Sequence, residues 1–269
     1  MSRPSVTGVV VWAMLATVAG CQPEGQPTAA PGADVAAAAP EQPAGMTVDS
    51  AAVRLLKGAM DHLSSLQRFS LKTHVVSEDL LDTGHRIDLE FTGGATVERP
   101  NKLRGERFGL QDRQTIYYDG TTLTLYDHEK QAYASRPAPG TIPEMFEMAY
   151  DSLGLSVPIS DILWPDVFPL MIHGVTFATV VDKEVIGGVT CEHLLFSRPG
   201  VDFQIWIPES GPPLPRKYIV TDTSTPALLS MVVWLSDWKV DQPVPASTFT
   251  FVPPDGAKAV IFLPPAAGS

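Results

Sequence analysis

Ile116-Tyr117-Tyr118-Asp119-Gly120-Thr121-Thr122-Leu123-Thr124-Leu125-Tyr126 reads as two strands joined by a tight turn. Aromatic and β-branched residues stand on both sides of Asp119-Gly120, and that pair supplies the positive φ of a type I′ turn. A period of two governs the chain on either side. Upstream, Phe69, Leu71, Thr73 and Val75 share one face, and Ile87, Leu89 and Phe91 alternate with Arg86, Asp88 and Glu90. Gly93-Gly94 predicts a bulge or bend. Downstream, strands are predicted at 131–136, 176–186, 189–197, 202–208, 215–222, 228–240 and 248–252. Many short strands punctuated by Gly and Pro predict one large antiparallel sheet or barrel.

Helical periodicity appears in two places. Ala52, Leu55, Leu56, Ala59, Met60, Leu63 and Leu66 recur at the spacing of a helix buried along one face, with Asp49 as its N-cap. A helical insertion at about 141–173 interrupts the strands. Ile142, Met145, Phe146, Ala149 and Leu153 form one amphipathic piece, with Pro143 in its first turn. Residues 159–172 form a second, capped by Ser160, apolar almost all round and broken or kinked by Pro165 and Pro169. Such an insertion either forms a lid over an apolar concavity or plugs the core of the sheet. Residues 228–235 are apolar on both strand faces, which one-sided burial does not require. They pair with a partner or lie beneath the first helix.

The N-terminus carries an address. Arg3, an apolar run over 9–18, and Val18-Ala19-Gly20-Cys21 follow the order of a bacterial lipoprotein signal peptide. Residues 1–20 are the expected leader, and the Cys21 thiol is the expected lipid attachment site. The apolar run is shorter than the roughly 20 residues of a membrane span. Residues 21–46, rich in Pro, Ala, Gly and Gln, cannot bury enough apolar surface to offset ordering entropy and are expected to be a disordered tether. The folded domain is expected over 47–269. Gln22 is not the Asp that retains lipoproteins at the inner membrane, so the expected location is the periplasmic side of the outer membrane.

Of 269 residues, 44% are hydrophobic, enough for a globular core. Net charge is −11, and the leader contributes only Arg3, so the mature chain is more acidic still. That argues against nucleic acid and against electrostatic attachment to anionic membranes. With Cys21 acylated, Cys191 has no partner and reads as a small buried hydrophobe. No G-x-S-x-G, G-x-G-x-x-G or P-loop occurs. His128-Glu129 begins like a zinc-protease motif, but Ala132 replaces the second ligand. Ser236-Asp237-Trp238-Lys239 spells S-x-x-K in a strand, where Ser and Lys point to opposite faces. Cys191 and His193 share a strand face, but one pair is not a metal site. No enzyme, metal or cofactor is expected.

Three further segments carry a resemblance. Arg99-Pro100-Asn101-Lys102-Leu103-Arg104 resembles the Arg-Pro strand start of the LolA/LolB-like lipoprotein carriers. Tyr118 to Asp127 is similar to their DGxxLxxYD hairpin, and Phe249-Thr250-Phe251-Val252-Pro253-Pro254-Asp255-Gly256-Ala257 to their FxFxPPxG ending. Closer still, the chain resembles the bacterial family of unknown function numbered 2092. That family's features are matched by Pro137-Ala138-Pro139-Gly140, Gly187 to Leu194, Pro213-Leu214-Pro215-Arg216-Lys217 and Leu235-Ser236-Asp237-Trp238. The resemblance covers about 48–262. It implies a mostly β, α+β fold: a curved antiparallel half-barrel of roughly ten strands, with an N-terminal helix and an inserted helical lid, enclosing an apolar cavity.

The expected function is that of a membrane-anchored periplasmic lipoprotein, a monomer, binding a lipid or lipoprotein acyl chain as carrier or receptor. Candidate lining comes from the lid (Met145, Phe146, Ile162, Leu163, Trp164, Leu170, Met171) and from alternating strand positions (Leu89, Phe91, Phe203, Ile205, Met231, Val233). The alternative is an envelope scaffold or sensor with a filled core that binds a protein partner. An envelope hydrolase or transferase lacks a motif.

Overall fold

The structure is a computed structural model and describes residues 47–109, 113–153 and 160–262. The leader, Cys21 and the tether lie outside the described residues. Helix α1 (Ser50–Ser65) begins where the Asp49 carboxylate accepts a hydrogen bond from the Ala51 N–H at 2.7 Å, satisfying one of the helix's free donors. It ends at Leu66, one turn short of Phe69. A first meander follows: β1 (Arg68–Leu80), β2 (Arg86–Glu98), β3 (Lys102–Gly109), β4 (Arg113–Tyr118), β5 (Thr122–Asp127) and β6 (Ala132–Pro137). Next come helix α2 (Ile142–Leu153), a 3₁₀ turn (Ser160–Leu163) and helix α3 (Val167–Ile172). A second meander comprises β7 (Phe177–Ile186), β8 (Val189–Arg198), β9 (Val201–Pro208), β10 (Lys217–Asp222) and β11 (Ser230–Val240), and the short β12 (Lys258–Ala259) closes the order.

All twelve strands form one open, curved sheet in the order β12-β6-β5-β4-β3-β2-β1-β11-β10-β9-β8-β7. Every pairing is antiparallel except β12 with β6. The first meander runs from the centre to one edge, and the second starts at the opposite edge and returns to pair β11 with β1. The chain between β6 and β7 must therefore cross the whole sheet. Helices α2 and α3 and the 3₁₀ turn lie along that crossing, which is why the helical insertion covers one face, here called the inner face. Helix α1 lies on the same face over β7, β8 and β9.

The inner face is packed in two clusters. One gathers Leu71, Val75, Val97, Leu103, Val233 and Leu235 under α2 and the 3₁₀ turn. The other gathers Ala178, Leu194, Phe196, Phe203, Ile205 and Ile207 under α1 and α3. Tyr218 touches both.

Several local expectations are corrected. The described residues form twelve strands, against the roughly ten expected: β12 adds an edge and the 99–104 segment leads into a full strand, β3. Residues 248–252 are not a strand. A 3₁₀ turn (Ala246–Thr248) precedes a segment laid across the outer face, where Phe251 packs on Tyr117, Tyr126 and Tyr133 at 5.0–5.3 Å. Pro253 and Pro254 also lack the N–H a ladder needs. The Asp119-Gly120 turn is not type I′. Gly120 alone has a positive φ, 99°, and the Asp119 carboxylate accepts from the N–H groups of both Thr121 and Thr122, holding a wider turn. Gly93-Gly94 is not a bulge, since its register with β1 is unbroken. A Cβ on Gly93 would meet the Glu106 carbonyl oxygen at 2.2 Å, so glycine is required there by close approach of backbones. Register shifts lie instead opposite Leu71, at Asp237 and Trp238, where Asp237 has φ 51°, and in β7 at Val181. Pro165 breaks the second helical piece as expected, but Ser160 opens the 3₁₀ turn rather than capping a helix.

Candidate functional site

Two rows of side chains cross the inner face on neighbouring strands. One runs Leu89, Ser77, Met231, Val220, Phe203, Phe196; the other runs Phe91, Val75, Val233, Tyr218, Ile205, Leu194. Pairing register alone places them so, because alternate residues of a strand share a face. Burial is uneven along the first row. Phe196 is fully buried beneath the helices, Val220 and Met231 are half-buried, and Leu89 is 39% exposed. The cover thins from β8 toward β2.

The thirteen sequence-predicted lining residues divide accordingly. Met145, Phe146, Ile162, Leu163 and Val233 are buried in the first cluster, and Phe203 and Ile205 in the second. Phe91 and Met231 pack half-buried on the first cluster, Trp164 and Met171 on the second. Leu89 and Leu170 are exposed, the latter by 37%. The half-covered apolar positions also include Met148, Leu153, Tyr218 and Val220, which sequence reading omitted. Tyr218 and Val220 were legible as the period-two partners of the β11 residues. Met148 and Leu153 lie on α2, whose helical period already marks Leu153.

Arg99 fixes the cover to the sheet. Its Nε donates to the Leu66 carbonyl at 3.0 Å and its Nη1 to the Leu163 carbonyl at 2.7 Å, with the guanidinium 5.5 Å from the Phe69 ring. One side chain thus joins the end of α1, the 3₁₀ turn and the start of β1. Burial lowers its pKa, but a guanidinium stays charged, so both bonds are charge-assisted. On the same inner face Arg107 lies 4.4 Å from the Phe91 ring centre.

Among the residues weighed for catalysis, Ser236 and Lys239 are exposed and, because of the bulge between them, lie on one face rather than on opposite faces. Cys191 is fully buried, and burial raises the pKa of its thiol, which disfavours a nucleophilic thiolate. His193 stacks on Trp206 at 4.0 Å on the outer face. His128 bonds Thr115 at 2.8 Å. Among the described residues no group of three or more His, Cys, Asp or Glu is arranged to hold a metal ion, and no helix is long and apolar enough to cross a membrane.

The geometry defines a class: a single curved β-sheet, crossed on one face by helices that leave part of an apolar surface uncovered. The sequence profile of the DUF2092 family, described as predicted periplasmic proteins, matches residues 52–263, and the chain belongs to that family. Solved structures similar to it include a LolA superfamily protein of Nitrosomonas europaea (14% identity, 74% of this chain and 97% of that one, TM-score 0.40). Lipoprotein LppX of Mycobacterium tuberculosis is another (14% identity, 74% and 99%, TM-score 0.38). The MucA/MucB complex of Pseudomonas aeruginosa is a third (13% identity, 76% and 62%, TM-score 0.41). No curated protein matches in sequence.

Proposed function

We propose that this protein is an envelope lipoprotein, acylated at Cys21, that holds the hydrocarbon chain of a lipid or acylated protein between its helical cover and the inner face of its sheet. The observation that carries this is the half-covered apolar surface at Leu89, Phe91, Met231, Tyr218 and Val220, with Met148 and Leu153 half-buried on the first cluster and Trp164 and Met171 on the second. Every one of these side chains is apolar or aromatic. Burying a hydrocarbon chain contributes about 0.8 kcal/mol per CH₂, so a dozen methylenes suffice without a catalytic residue. Methionines on the sheet (Met231) and on the helices (Met148, Met171) suit ligands of variable shape. The seven buried candidates form the walls behind this surface rather than the surface itself. Leader cleavage, the tether over 21–46 and an outer-membrane location belong to the same proposal.

Mass spectrometry of an organic extract of the purified protein tests it. Stoichiometric lipid or fatty acid is expected. Repeated absence of extractable lipid, together with failure to displace a lipophilic dye, contradicts it and favours a scaffold that binds a protein partner.

A further inference from the structure

The opposite face of the sheet carries a second, chemically different concavity. The segment from Phe249 to Pro253 lies across β4, β5 and β6 and encloses a cavity of about 220 Å³ against them. On the sheet side Tyr117 and Tyr133 stand beside the hydroxyls of Thr122, Thr124 and Ser135, with the carboxylate of Asp119 at the hairpin turn. The overlying segment contributes Phe249 and Phe251. Thr124 is buried, and its hydroxyl is 2.8 Å from that of Ser135, so the pair retains donor and acceptor capacity toward a third group. Burial alone would raise the pKa of Asp119, but hydrogen bonds from Thr121 and Thr122 outweigh it and hold the carboxyl below its usual range. Those bonds all go to Oδ1. The two cations beside the aromatic rings are engaged: Arg104 with Glu106, and Lys102 with Glu98 at 2.7 Å.

We propose that this cavity binds one neutral sugar ring of an envelope glycan. A pyranose has an apolar C–H face and an equatorial rim of hydroxyls. It needs an aromatic surface with hydroxyl and carboxylate partners beside it, and this pocket sets Tyr117 and Tyr133 next to Thr124, Ser135 and Asp119. The volume lies below the roughly 300–1,000 Å³ of pockets for drug-sized ligands, which limits the ligand to a single ring. An ionised Asp119 on an acidic protein disfavours uronic and other anionic sugars. The site is separated from the apolar surface by the thickness of the sheet, so it operates whether or not a hydrocarbon chain is held on the inner face.

Saturation-transfer NMR of the mature chain with N-acetylglucosamine, methyl glucoside and glucuronate tests the proposal. Transfer from tyrosine and phenylalanine ring protons to both neutral sugars is expected, with glucuronate bound more weakly. Thr124→Val keeps shape and removes one hydroxyl, and Ser135→Ala alters a solvent-exposed residue and leaves folding intact. Each is expected to weaken binding roughly tenfold. Absence of transfer to either neutral sugar, equal binding of glucuronate, or unchanged affinity in both variants overturns it.

Discussion

Tyr118 closes the hairpin from which the fold was first legible. Its hydroxyl donates to the carbonyl of Pro139, with the Thr141 carbonyl 3.4 Å away, so it joins β4 to the start of α2. Burial, with the Glu144 and Asp119 carboxylates adding to it, pushes its pKa up to about 12. A raised pKa means that the folded state favours the neutral phenol. This stabilisation is fully present below the ordinary tyrosine value of about 10 and is lost as pH rises toward 12. At about 1.4 kcal/mol per unit, the loss approaches about 3 kcal/mol. Denaturant unfolding followed from pH 9 to 12 is expected to show a steeper fall for the wild type than for Tyr118→Phe. Parallel curves would contradict this role for Tyr118. Two glycines give a second contrast. Gly93→Ala would drive a methyl into the Glu106 carbonyl oxygen and is expected to cost about 3 kcal/mol. Gly58→Ala, on the exposed side of α1 with open space around it, is expected to stabilise by about 0.5–1 kcal/mol. Equal effects in chemical denaturation would refute the close backbone approach at Gly93.

At the scale of elements, the helical cover makes the sharpest prediction. Trp164 lies in the break between the 3₁₀ turn and α3, half-buried against the second cluster. Trp164→Asp is expected to abolish uptake of a lipophilic dye while leaving the circular dichroism of the sheet unchanged; retained uptake would remove Trp164 from the binding surface. Elements with a one-sided pattern were legible in sequence. Helix α1, α2 and the strands of both meanders follow their periods because one face of each is buried. What failed is informative. The Gly93-Gly94 pair signals small size, but only the fold reveals that neighbouring backbones, not a kink, demand it. The bulge at Asp237-Trp238 carries no glycine to mark it. In the two-faced apolar run over 228–235, Val233 and Leu235 share a buried cluster with Leu63 at the end of α1. The run's inner residues Met231, Val233 and Leu235 face the helical cover, and its outer residue Trp234 joins a ladder across the outer face. There, His193 stacks on Trp206 at 4.0 Å. The Lys217 ammonium sits 4.2 Å from the Trp206 ring and 5.6 Å from the Trp234 ring, and His74 stacks on Trp234 at 4.9 Å. Glu90 bonds His74 at one end, and Glu184 accepts from the Trp206 indole near the other. Such cross-strand contacts join residues far apart in sequence, and periodicity carries no information about them.

For the whole molecule, the decisive feature is strand order. Because the two meanders meet in the centre, the chain linking their outer ends must cross the sheet, and its apolar helices cover one face incompletely. Sequence supplied the sheet, the helices and their apolar content, but not this order, so it left open whether the helices plug the sheet or roof a gap. The structure packs both halves of the face, with Val75, Val97, Val233 and Leu235 buried on the central strands, and leaves Leu89 exposed and Phe91, Met231, Tyr218 and Val220 half-buried beside them. The acidic surface offers no electrostatic hold on an anionic bilayer. Cys21→Ser is accordingly expected to move the protein from the membrane to the soluble fraction on cell fractionation, and continued membrane retention would refute the lipid anchor. Binding of a hydrocarbon chain on the inner face can be followed by titrating methyl-labelled protein with a spin-labelled fatty acid. Selective broadening of the Leu89, Met231 and Val220 methyls is expected, with Val76 and Val232 on the outer face unaffected. No broadening, or broadening confined to the outer-face methyls, would contradict it.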